Sequence, residues 1–272
     1  MALHPLDTIR SHYHPIQPSV RCNDDQICYE EFEPSQDVKT YVYCYWQLKT
    51  KEHLTEPYAY RVVSDGCIDI FFEAERPEYS FIMGFCRKYT EFEIGQKFNY
   101  YGIRFMPSAF TLLFGIDAKT LSNRDLPLNL VQPRLATWLS ALENVSHDSK
   151  SFVEQMNMRL ATAINQAAIE FDHRFYDALY EILNAHGHID VEQDLNTGLS
   201  PRQQRRIFNY YIGTTPKAFS NVVRFQYILN TKPSTQSLKQ NKIYYDVGFF
   251  DQAHFIKSFK AFYGVTPAQA FR

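Results

Sequence analysis

No uncharged apolar run in this chain of 272 residues approaches the length of about 18 needed to span a bilayer. The first twenty residues hold Asp7, Arg10, three histidines and three prolines where a secretory leader needs an apolar stretch. The expectation is a soluble, unexported protein of the cytoplasm with no membrane partner. Cysteine is scarce: Cys22, Cys28, Cys44, Cys67 and Cys86 make an odd five with no C-x-x-C pair. That excludes a zinc ribbon and a disulfide scaffold and suits a reducing compartment. Paired histidines are also missing where metal chemistry would need them. The strand-rich part has only His53, while His12-Tyr13-His14 and His186-Gly187-His188 bring no carboxylate at helical spacing. Neither a metal nor a cofactor is expected.

What is present describes a globular protein: 45% hydrophobic and 21% charged residues build real cores. At about 150 residues per domain the length suggests two units. The net charge of -2 is unevenly spread. From Ser200 onward eleven basic residues stand against Asp246 and Asp251, a balance of +9 that leaves -11 for the first 199 residues. One end is suited to a polyanion.

That basic end is punctuated like helices. Phe175, Leu179, Ile182 and Leu183 recur at helical spacing, and Gly187 stops them. A short segment, Ile189 to Leu195, and an Asn-Thr-Gly turn lead to Ser200-Pro201, a good cap and first residue for a second helix closed by Gly213. Another helix is expected from Lys217 to Asn230. After a loop from Thr231 to Ser237 the pattern repeats, with a short helix at Ile243–Val247, a turn at Gly248 and a longer helix from Asp251 to Phe262. Phe208 and Phe259, Gly213 and Gly264, and Thr215-Pro216 and Thr266-Pro267 are each 51 positions apart. A duplicated helix-turn-helix explains that register.

The run from Gly248 to Phe255, then Phe259-Lys260, then Gly264-Val265-Thr266-Pro267, resembles the signature of the AraC/XylS family of bacterial transcription regulators. Gly198-Leu199-Ser200-Pro201-Arg202-Gln203, with Arg206, Phe208, Gly213 and Pro216, is similar to the family's first helix-turn-helix. Gln204 and Tyr244 depart from the usual small or apolar residues, and Asp190, Glu192 and Asp194 make the first positioning segment acidic. The resemblance implies a non-enzymatic, sequence-specific regulator that binds double-stranded DNA and works with RNA polymerase. Arg202, Arg205 and Arg206 take the positions that contact DNA in the first copy, and Gln252, Ala253, His254 and Lys257 those in the second. Arginine suits guanine, glutamine adenine and an alanine methyl thymine. Lys217, Lys232, Lys260 and Arg224 are assigned to phosphate or structural roles.

The acidic part alternates in short aromatic and β-branched runs: Tyr41–Leu48, Tyr60–Val63, Ile68–Phe72, Phe81–Phe85, Tyr89–Ile94 and Tyr100–Phe105. Tyr45-Trp46, the stretch from Val63 to Asp69, Gly84-Phe85 and the stretch from Gly102 to Pro107 resemble the sensor half of one branch of the same regulators, a cupin-like β-barrel. The overall expectation is α+β: a barrel sensor over residues 1–147, an amphipathic linker or dimerisation helix over 148–171, and an all-α DNA-binding domain with two helix-turn-helix motifs over 172–272. A small-molecule effector in the barrel completes the reading, and the stripe Phe152, Met156, Leu160, Ala163, Ile164 and Ala167 is core-facing by default or, equally for a regulator of this shape, the seam of a homodimer. Arg61 and Arg104 could meet a carboxylate ligand or an internal Asp. The alternative is a ligand-binding or catalytic barrel whose helical end only mediates assembly.

Overall fold

The computed structural model describes residues 4–17, 26–145, 148–195, 197–231, 248–249 and 251–271. After helix α1 (Pro5–His12) come strands β1 (Ile27–Phe32), β2 (Val42–Thr50), β3 (Tyr58–Val62), β4 (Ile68–Glu73), β5 (Ser80–Met83), β6 (Thr90–Ile94) and β7 (Asn99–Phe105). A helix α2 (Ala109–Phe114) and a short strand β8 (Asp125–Pro127) follow, then α3 (Leu128–Val131), α4 (Pro133–Ser140) and α5 (Ser149–Gln166). All six expected strands are present within a few residues; β1 and β8 are additional.

The strands do not close into the expected barrel. Six form one antiparallel sheet in the order β1-β2-β7-β4-β5-β8, and β3 and β6 pair with each other as a separate ribbon. The physical reason is that β1 and β8 end the sheet without pairing to each other, while the ribbon covers one face instead of extending the ladder. The α+β layout stands; what a barrel would enclose is here the space between sheet and ribbon.

Period-two alternation sorts side chains between the two faces. On β4, Ile68, Ile70 and Phe72 are buried while Asp69, Phe71 and Glu73 are half-buried. The face carrying Tyr45, Phe72, Tyr101 and Ile103 meets α5, whose Phe152 ring lies 4.7 Å from that of Tyr101 and 5.6 Å from those of Tyr45 and Phe72. Phe152, Met156 and Leu160 are fully buried there, so the stripe read as a dimer seam is occupied within its own chain.

The helical end comprises α6 (His173–Asn184), α7 (Pro201–Ile212), α8 (Pro216–Thr231), α9 (Gln252–Tyr263) and α10 (Pro267–Ala270). Within the short segment from Ile189 to Leu195, residues 191–194 form a turn. The loop expected after Thr231 and the helix expected at Ile243–Val247 lie outside the described residues, as do Cys22, Lys232 and Tyr244. Apolar packing is continuous between the ends: Phe175, Phe208, Phe219 and Val222 belong to the same buried cluster as Phe72, Phe105 and Phe110. Among the described residues no helix is long and apolar enough to cross a membrane.

On the ribbon-facing side, Trp46 stands opposite Gly102 in the β2–β7 register and its indole lies over that glycine, where a Cβ would collide with the ring. Gly102→Ala therefore forces the indole aside and is expected to cost about 1–3 kcal/mol. Urea unfolding checks this, and an unchanged midpoint would show that the ring has room.

Candidate nucleic-acid interface and sensor cavity

Helices α7 and α9 are fixed at their amino termini by short polar side chains. Ser200 caps α7 in a reciprocal box with Gln203, and Asp251 Oδ1 accepts a hydrogen bond from the His254 amide at 2.7 Å to cap α9. Each helix then buries one face. Phe208 and Ile212 of α7 enter the main core, whereas Phe255 and Phe259 of α9 pack on Phe225 of α8 and on Phe249. Arg202, Arg205, Arg206, Gln252, Ala253, His254 and Lys257 are all exposed, on the amino-terminal halves of their helices. Arg205 Nη2 lies 3.5 Å from Glu192 Oε1, with both side chains mostly in solvent.

Two residues of uncertain role in the sequence resolve into structural ones. Gln204 is buried, and its Nε2 donates to the Leu195 carbonyl at 3.2 Å, so the amide holds the acidic turn against α7. Arg224 donates to the Gly187 carbonyl at 2.6 Å and to the Gly248 carbonyl at 3.1 Å, tying the turn after α6 to the turn before α9. Lys217 and Lys260 remain exposed.

The strand-rich part holds a cavity of about 190 Å³ between the sheet and the β3–β6 ribbon. Trp46, Phe71, Phe81 and Tyr100 line it from the sheet, and Tyr60, Val62, Phe92 and Ile94 from the ribbon. Its charged lining is Arg104, Asp69, Glu93 and Asp125. Arg104 is 1% exposed, and its Nε lies 3.2 Å from Asp69 and 3.4 Å from Asp65. The internal Asp partner is thus the one realised. Trp46 Nε1 donates to Asp69 Oδ1 at 2.9 Å. Burial pushes the Asp69 carboxyl up from 3.8 to about 6, against the opposing pull of Arg104 and with the Asp65 charge adding to the rise. Arg61, by contrast, pairs with Glu91 across the ribbon at 2.8 Å.

Asp65, which next to Gly66 suggests a simple hairpin turn, is a buried junction. Its Oδ1 accepts from the Cys67 amide at 2.9 Å and its Oδ2 from Gln17 Nε2 at 2.7 Å, while its carbonyl accepts from the Tyr13 hydroxyl. The same segments grip α8. Gln226 Oε1 accepts from the Ile16 amide at 2.8 Å, and its Nε2 donates to the carbonyls of Ile16 and Ser64. Asn230 Nδ2 donates to the His14 carbonyl, and the Phe219 ring lies against Gly66. The ribbon also touches α9: the Tyr89 amide donates to the Ala261 carbonyl at 3.2 Å. Composition and periodicity carry no sign of the Gln17, Gln226 and Asp65 contacts, which join positions as much as 210 residues apart.

A family model described as a helix-turn-helix domain matches residues 196–272, and one described as a domain of unknown function (DUF6597) matches residues 30–127. No curated protein matches the chain. Among solved structures it is similar to ToxT from Vibrio cholerae O395, at 13% identity over 91% of this chain and 98% of that one, with a TM-score of 0.33. A second ToxT structure from Vibrio cholerae, in a P21 crystal form, gives 12% identity over 90% and 97% of the two chains, with a TM-score of 0.35.

Because the folded chain holds the Asp69 proton more tightly than the unfolded chain does, this residue's contribution to stability is fully present below about 3.8 and lost as pH rises through about 6. Asp69→Asn should remove a falling segment from the stability profile over that window. Denaturant titrations at a series of pH values measure it, and identical slopes for both proteins would show that the carboxyl titrates normally.

Proposed function

We propose, for a chain that is a DNA-binding transcription regulator of the AraC/XylS type, that α7 and α9 read its operator and that the sensor cavity takes the small molecule that controls it. The observation that carries the first half is the shared geometry of the seven reading positions. All are exposed on the amino-terminal halves of two capped helices whose opposite faces are buried. A helix presented in this way enters the major groove with those side chains toward base edges.

Arg202, Arg205 and Arg206 then supply guanine and phosphate contacts, Gln252 an adenine contact, Ala253 a thymine methyl contact, and His254 and Lys257 the flanking polar contacts. At about 1.5 Å per residue, α8 is a rigid connector between the two reading helices, and consecutive major grooves recur about every 34 Å. The sensor over residues 1–147, the helix region 148–171 and the DNA-binding part 172–272 form the working units. The regulator acts in the cytoplasm and passes its signal to RNA polymerase. Pairing with a second copy would engage two half-sites and add avidity; the face used would have to be other than the α5 stripe, which is internal.

The basic end gives DNA binding a strong dependence on salt. With about six phosphates neutralised, log K should fall against log salt with a slope of roughly -5. Fluorescence anisotropy of the full chain on duplex DNA measures it, and a slope near zero would refute electrostatic capture. On a cognate operator Arg205→Ala should lose about 1–3 kcal/mol at one base step while nonspecific binding barely changes. An equal loss on every sequence would make Arg205 a phosphate contact.

A further inference from the structure

We propose that the cavity between the sheet and the β3–β6 ribbon takes a small organic cation, an arylalkyl- or alkyl-ammonium that also carries a neutral hydrogen-bond acceptor. The inference rests on the reading of this chain as an effector-controlled regulator and names the chemical class of its effector.

Size sets the first limit. A cavity of about 150 Å³ already holds benzene, so about 190 Å³ holds a one-ring molecule with a short substituent. The walls set the second. Trp46, Tyr60, Phe71, Phe81, Phe92 and Tyr100 line it from both sides, and aromatic rings attract cations through their quadrupoles.

Charge decides between a cation and an anion. The lining carries three carboxylates, Asp69, Glu93 and Asp125, against the single cation Arg104. That guanidinium is already engaged, with Nε within 3.4 Å of both Asp65 and Asp69 and Nη1 3.6 Å from Glu31. A carboxylate ligand would meet an excess of negative charge, set by the half-buried Asp69 and the exposed Glu93 and Asp125. An ammonium would meet the exposed carboxylates Glu93 and Asp125, Asp69 being already paired with Arg104 and Trp46.

Arg104 supplies a second, independent feature. Its Nη1 is buried and, although it stands 3.6 Å from Glu31 Oε1, makes no hydrogen bond, so an acceptor brought within reach gains a bond that the ion pair does not supply. Because the surrounding charge disfavours an anion, the acceptor that fits is neutral: a hydroxyl, ether or carbonyl on the same ligand. An amino alcohol or an amino ketone built on one ring meets all three conditions.

The test is thermal unfolding and calorimetric titration of the full chain at near-neutral pH with four probes of similar size: phenethylammonium, phenylethanolamine, phenethyl alcohol and hydrocinnamate. Both ammonium probes should raise the unfolding temperature saturably and bind at least about tenfold tighter than hydrocinnamate, with phenylethanolamine the tighter of the two. Asp125 is exposed, so Asp125→Asn preserves the fold; it should weaken ammonium binding about fivefold without weakening hydrocinnamate. Hydrocinnamate or phenethyl alcohol binding as tightly as the amines, no binding by any probe, or amine binding indifferent to Asp125→Asn would each overturn the proposal. Salt-dependent duplex binding, measured on the same unliganded preparation, separates the outcomes. If it persists while the amines fail, only the ligand class falls; if it is absent, the regulator reading falls with it.

Discussion

A guanidinium taken out of water loses hydration that only well-placed carboxylates can replace, and Arg104 is held in the sheet on that condition. Its two nearest partners come from neighbouring segments with different duties. Asp69 on β4 faces the cavity and receives the Trp46 indole, whereas Asp65 lies in the turn before β4 and receives Gln17. One buried cation therefore fixes both the floor of the cavity and the turn on which α8 rests. The arrangement is tightly bound because the alternatives are poor. Without Arg104 two carboxylates would face each other in a low-dielectric site, and without either carboxylate the guanidinium would be undercompensated.

The turn passes that constraint to the DNA-binding end. Apolar contacts supply most of the adhesion there, since Phe219 lies on Gly66 and shares its cluster with the sheet and α5. Polar contacts set the register: Gln226 is buried and spends both ends of its amide on Ile16 and Ser64. A slide of α8 against the strand-rich part would strand those groups, so the interface has discrete rather than continuous positions. A ligand that acts through this interface does so only to the extent that it binds one position better than another.

How much of this is legible in the sequence depends on the range of the interactions. Ser200, Gly213, Asp251 and Gly264 act within a few residues of themselves, and the helices they bound fall where their spacing places them. The strands follow for the same reason, because alternation at Ile68, Ile70 and Phe72 reports a one-sided sheet directly. Barrel closure does not follow, because a strand's pattern says which face is buried and not which neighbour covers it. β3 alternates as a sheet strand would, yet pairs only with β6 among the described strands. Asp65 reads as a turn residue because its partners, Gln17 and Arg104, are distant in the chain. The stripe on α5 reads equally as core or seam until Tyr45, Phe72 and Tyr101 are seen to occupy it.

If α7 meets DNA as proposed, the acidic turn beside it has a physical role that charge counting alone obscures. Glu192 stands 3.5 Å from Arg205 with both groups in solvent, a pair that contributes little and yields readily to a stronger partner. A phosphate approaching Arg205 must also approach Glu192, and Asp190 and Asp194 lie in the same turn. Repulsion thus offsets part of the nonspecific attraction of α7. A guanine edge offers Arg205 two aligned acceptors without bringing a full negative charge toward Glu192. An acidic neighbour that weakens every contact with the backbone, and weakens a base contact less, widens the gap between specific and nonspecific binding even as it lowers affinity overall. In a module whose balance is +9, that exchange favours selectivity where attraction is already in surplus.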